Sequence, residues 1–131
     1  MSTRQSAGEA EPIIEGMADL VAPMAGGEKP AKDWRIGTEH EKFVYKRADR
    51  RAPSYDEEGG IRDILLSLRE FGWEPIEENG HVIAMKGADG TGSLEPAGQL
   101  ELSGAPLESL HEACAETGRH LAQVKEIGDR L

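Results

Sequence analysis

Glu39 and Glu41 stand two residues apart within residues 34–45, and Glu95 and Glu101 flank a Pro96-Ala97-Gly98 break within residues 93–103. In an extended strand, side chains two residues apart emerge on one face about 6.5–7 Å from each other. Glu39 and Glu41 therefore share a face, as do Gln99 and Glu101, while Leu100 and Leu102 turn the other way. Acids on the water face of an alternating strand are the ordinary reading of such a pattern. Two strands that each offer acids would instead form a carboxylate-lined sheet face, and that needs a cation to be stable. Carboxylate oxygens are the hard donors that magnesium prefers. Magnesium in turn neutralises charge on a transferring phosphoryl group. Gly37, on the same parity, leaves room for a ligand or a neighbouring backbone, or marks a bulge.

Other candidate groups carry less. Lys46, Arg47, Arg50 and Arg51 form a basic cluster that reads as a solvated loop, with an anion site as the sharper alternative. Gly87-Ala-Asp-Gly-Thr-Gly92 lacks the Gly-Lys-Ser/Thr ending of a phosphate loop and reads as a hairpin turn. His40, His81, His111 and His120 have no metal-ligand spacing and read as surface or hydrogen-bonded histidines. Cys114, the single cysteine, excludes an internal disulfide and reads as a small buried packing residue on a helix.

The positioning elements follow from periodicity. Residues 1–29 read as a flexible segment with a short helix carrying Ile13, Ile14, Met17, Leu20 and Val21 and ending near Pro23. Residues 34–46 read as a strand. Residues 57–72 repeat Ile61, Ile64, Leu65, Leu68 and Phe71 at helical spacing before a Gly72 stop. Residues 73–78 lead into a strand over 81–86, which turns back into the strand beginning at Ser93. A long helix over 107–131 carries an apolar stripe through Leu110, Ala113, Cys114, Thr117, Leu121, Val124 and Ile127. The expected class is α+β: an antiparallel sheet of three or four strands with packing helices.

A chain of 131 residues suits one modest domain or part of a larger one. A net charge of −10 argues against nucleic acid as a partner, because phosphate binding needs a basic surface. The 37% hydrophobic content is low for a self-sufficient core and leans toward an incomplete fold. No window approaches a membrane span and no signal peptide is apparent, so the expected compartment is the cytoplasm.

Two motifs then support a resemblance. Trp34-Arg-Ile-Gly-Thr-Glu-His-Glu-Lys-Phe43 and Ser93-Leu-Glu-Pro-Ala-Gly-Gln-Leu-Glu-Leu-Ser-Gly-Ala-Pro106, with Gly60-Ile61 and Gly72-Trp-Glu-Pro-Ile76 between them, resemble the glutamate–cysteine ligases of Gram-negative bacteria and plants. The resemblance covers most of residues 30–131, as the N-terminal portion of a longer catalytic domain. It implies ATP-dependent joining of the γ-carboxyl of L-glutamate to the amine of L-cysteine through γ-glutamyl phosphate, the first step of glutathione synthesis. It also implies a glutamine synthetase-like fold, a curved antiparallel sheet with carboxylates on its concave face. By that resemblance Glu39, Glu41, Glu95 and Glu101 are metal ligands for Mg²⁺, and Gln99 and Arg35 are candidate substrate contacts. No residue is assigned a direct catalytic role. The family's second motif has a glycine where this chain has Ala97, which would be strained if φ there is positive. A non-catalytic fragment, or a related carboxylate–amine ligase with another acceptor, remains the alternative.

Overall fold

A computed structural model describes residues 13–88 and 90–131, so the first part of the expected flexible segment, and Asp89 in the expected turn, lie outside the described residues. The chain divides into two units, Met1–Trp34 and Arg35–Leu131. In the first, α1 spans Met17–Gly26, and the Asp19 carboxylate accepts from the backbone N–H groups of Glu15 and Gly16 at 2.8 and 3.0 Å. Pro23 lies inside this helix rather than ending it.

Among the described residues the second unit is α+β, with five antiparallel strands. These are β1 (Glu39–Lys42), β2 (Glu74–Glu78), β3 (His81–Gly87), β4 (Gly90–Glu95) and β5 (Gln99–Gly104), in the order β1-β5-β4-β3-β2. The strand beyond the expected three or four is β2. Its run Glu-Pro-Ile-Glu-Glu has little strand propensity, and it joins the sheet because Asn79 and Gly80, both at positive φ, turn it into a tight hairpin with β3. Conversely, regular pairing in the first stretch is confined to four residues plus an isolated Ile36–Leu107 bridge.

Helix α2 (Ile61–Ser67) tightens into a short 3-10 turn over Leu68–Phe71 and stops at Gly72, whose φ of 84° is open to glycine. Helix α3 (Leu110–Arg130) begins where Ser109 caps it, its hydroxyl accepting from Glu112 N–H while the Glu112 carboxylate accepts from Ser109 N–H. Ile61, Ile64, Leu65 and Leu68 meet Trp73, Val82, Met85, Leu100, Leu102 and Ile127 in one core between the helices and one sheet face. Val82 and Met85 both reach this core because β3 carries an extra residue, Ile83, at the register shift opposite Ile76 and Glu77.

The inner face of α3 differs from the expected stripe. Ala113, Glu116, His120 and Ile127 are buried, whereas Leu110, Leu121 and Cys114 are exposed. Ala113 and Ile127 keep their places in the stripe, but between them the inward positions fall one residue early, on the polar Glu116 and His120. Cys114 is thereby an exposed thiol, not the buried packing residue expected.

Candidate functional site

Register determines what faces away from the core. Across β1 and β5, Glu39 stands opposite Ser103 and Glu41 opposite Glu101. Across β4 and β5, Ser93 stands opposite Glu101 and Glu95 opposite Gln99. Residues directly opposite share a face, so three adjacent strands present Glu39, Glu41, Glu101, Glu95, Gln99, Ser93 and Ser103 together. Leu100 and Leu102 point into the core behind them. Glu101 is the centre of this face and only 8% exposed, flanked by Glu41 and Ser93, and the Ser103 hydroxyl donates to it. Ser93 and Ser103 escaped the sequence reading. Their period-two spacing from Glu95 and Glu101 was the available signal.

The four acids thus share a face but form no closed cage. Among the described residues, no three His, Cys, Asp or Glu side chains are placed to hold one ion. Hard oxygen donors nevertheless suit Mg²⁺, which takes one or two carboxylates together with phosphate oxygens and water rather than an all-protein cage. Glu41 beside Glu101 offers such a pair. Among the described residues nothing lies within 4 Å of where a Cβ on Gly37 would be, which leaves room beside the first strand.

The two remaining candidates separate. Gln99 belongs to the acid face, opposite Glu95. Arg35 precedes the Ile36–Leu107 bridge and pairs with Glu108 at 3.0 Å, at the α3 end of the strand path. Between Glu95 and Gln99, Ala97 adopts φ 63° and ψ 17°, followed by Gly98 at φ 76°. The positive φ anticipated as a source of strain is therefore present.

The basic cluster ties its loop to itself and to α3. Arg51 makes a two-pronged fork to Glu57 at 2.8 and 2.7 Å, and hydrogen bonding to it holds the Glu57 carboxyl down at about 2. Arg47 pairs with Asp129, and Lys46 donates to the carbonyls of Glu58 and Gly59.

Behind the acid face Lys42, His40 and His120 come together, a grouping that no spacing in the sequence signals. Lys42 Nζ donates to the His40 carbonyl at 2.7 Å, and burial lowers its pKa to about 8 against the opposing pull of Glu101. His120 is 2% exposed, and neither ring nitrogen has a partner among the described residues. Burial first, then the charges of Lys42 and His40, lower its pKa to about 4, so it is neutral near pH 7. The expected surface or hydrogen-bonded histidine is not found here.

Known proteins agree with the resemblance. Residues 35–131 match the family described as Glutamate-cysteine ligase family 2 (GCS2). The chain is 48% identical over 130 residues to glutamate–cysteine ligase A, chloroplastic, of Oryza sativa subsp. japonica, covering 98% of this chain and 25% of that protein. Identity to glutamate–cysteine ligase, chloroplastic, is 46% over 123 residues in Solanum lycopersicum (93% and 23% covered) and 42% over 130 residues in Arabidopsis thaliana (98% and 24%). The chain thus spans about a quarter of the length of the curated relatives it matches. Those relatives are named chloroplastic, which overturns the expected cytoplasmic location. That expectation rested on the lack of a membrane span and signal peptide, and neither criterion separates cytosol from plastid interior. The matched motifs coincide with the acid-bearing strands, and the chain belongs to glutamate–cysteine ligase family 2.

Proposed function

We propose that this chain is the N-terminal portion of the catalytic domain, residues 30–131, of an ATP-dependent glutamate–cysteine ligase with a glutamine synthetase-like sheet. The observation that carries the reading is the acid face itself, Glu41 opposite Glu101 with Glu39 and Glu95 beside them on three neighbouring strands.

In the proposed reaction a γ-carboxylate oxygen of L-glutamate attacks the γ-phosphorus of ATP, and ADP departs. The amine of L-cysteine then attacks the acyl carbon, inorganic phosphate leaves with the bonding electrons, and the amine releases a proton. When bound, Mg²⁺ supplies charge neutralisation at the phosphates. The chain's contribution is positional. Glu41 and Glu101 would hold the cation between them, with Glu39 and Glu95 on the same face as further ligand candidates for it or for its waters, and Glu101 is fixed by Ser103. Gln99, beside them, orients glutamate or nucleotide. Arg35 would engage a substrate carboxylate only by exchanging Glu108 for it. The acyl phosphate is already activated, so none of these residues need act as a general base.

Incubation of the chain with ATP, Mg²⁺, L-glutamate and hydroxylamine tests the first half-reaction, because hydroxylamine traps an acyl phosphate as the γ-hydroxamate. Replacing hydroxylamine by L-cysteine and by other amines reads out acceptor choice. Hydroxamate that disappears in Glu101→Gln supports the proposal, and formation indifferent to that change sinks it. The coverage of a quarter of the relatives' length favours a second reading, in which the chain alone binds Mg²⁺ and ATP without turnover. Binding without hydroxamate or ADP is its signature.

A further inference from the structure

The helix side of the sheet holds a buried acid that this chemistry does not use. Glu116, on the inner face of α3, is 2% exposed and lines a cavity of about 60 Å³ with His120, Trp73 and Gln123. Its Oε1 accepts from the Ala105 backbone N–H at 2.7 Å. Among the described residues its Oε2 has no hydrogen-bond partner, and it lies where a Cβ on Gly104 would come within 2.1 Å of it. At the same corner, Gly104 N–H donates to the Thr38 carbonyl at 2.8 Å, and Ile36 and Leu107 exchange backbone bonds at 2.7 and 2.9 Å. The carboxylate is therefore wedged beneath the point where β5 leaves the sheet and the first strand approaches it.

That corner matters because β1 is an edge strand of four residues, Glu-His-Glu-Lys, with no large apolar side chain to fix its register. A slip of one residue would turn Glu39 and Glu41 to the helix side. A buried carboxylate with an unpartnered oxygen is unfavourable on its own account, and a packed apolar side chain would avoid that penalty. What the acid supplies is the bond to Ala105 and a bulk that only a glycine at 104 admits.

We propose that Glu116 is a positioning residue for the acid face, holding Gly104 and Ala105 from beneath and so setting the β1–β5 register that brings Glu41 opposite Glu101. Its importance to function rests on the reading of that face as a Mg²⁺ and ATP site. Its mechanical role can be read separately.

Residue-resolved amide exchange on the whole chain, with Mn²⁺ line broadening as the metal readout, tests both parts. In Glu116→Ala, exchange at Ile36, Gly104 and Leu107 should accelerate about tenfold relative to the β3–β4 amides, the factor expected for one lost hydrogen bond. Glu116→Gln keeps an acceptor oxygen and should stay within about twofold of the parent. Gly104→Ala should reproduce the lesion. Combined with Glu116→Ala it should add much less than it does in the parent, since the obstructing carboxylate is gone and only the Thr38 carbonyl, 3.1 Å from the new methyl, still crowds it. Broadening of the Glu41 and Glu101 signals by Mn²⁺ should weaken in step with the exchange change. Unchanged exchange at the three amides, or equal acceleration across the whole sheet, overturns the proposal. Absence of any Mn²⁺ effect in the parent overturns the reading of the acid face, while the exchange pattern still decides what Glu116 does.

Discussion

Replacing Ala97 by glycine should stabilise the chain, an unusual sign for a substitution to glycine. Ala97 sits at φ 63° in the turn between Glu95 and Gln99, where an L side chain costs roughly 1–2 kcal/mol. Glycine brings greater freedom to the unfolded chain, which returns about 0.4–1 kcal/mol. The residue is exposed, so loss of its methyl group forfeits little burial. The balance is a gain of about 0.5–1 kcal/mol, or roughly 2–4 °C in the melting midpoint for a domain of this size. Urea denaturation followed by circular dichroism, with an unchanged m-value, would measure it. Gly98→Ala is the matched control, since φ there is 76°, and it should lose about 1 kcal/mol or more. If Ala97→Gly destabilises while Gly98→Ala is neutral, the left-handed turn is wrong and the spacing of Glu95 from Gln99 must be redrawn.

Other outcomes follow from the same geometry. His120 has its folded pKa lowered to about 4 from an ordinary 6.5. Its contribution is therefore fully present above pH 6.5 and lost as pH falls toward 4, a drop of about 3 kcal/mol at most. Urea midpoints across that window should show it, and His120→Phe should flatten it. Glu41→Gln removes one of two like charges on directly opposed residues. It should raise stability by about 0.2–1 kcal/mol in EDTA, less at high salt, and the gain should vanish with saturating Mg²⁺. Cys114, exposed on α3, should react with a thiol reagent in the folded chain as fast as in urea, without shifting the melt. A slow native reaction would mean that α3 is rotated toward its apolar stripe.

The acid face was legible because Gln99, Glu101 and Ser103 alternate with Leu100 and Leu102, and period two survives folding when one face is buried. Helix α2 was legible for the same reason at period 3.6, with a glycine stop. The inner face of α3 was not, since Glu116 and His120 occupy positions that a hydrophobic pattern assigns to water. Nor was β2, which owes its place to a turn and a bulged neighbour rather than to its own side chains. Pairing of Glu41 with Glu101 also lay beyond the sequence. Each strand's parity could be read locally, but register is set by the corner at Gly104.

If the carboxylates of β1, β4 and β5 hold Mg²⁺ for phosphoryl transfer, calorimetric titration of Mg²⁺ into the chain with ATP present will register it. The parent should give saturable binding, and Glu41→Gln and Glu101→Gln should each weaken it by about tenfold or more, in line with loss of a charged ligand. Equal affinity in the parent and both variants would mean that the metal binds elsewhere than on the acid face.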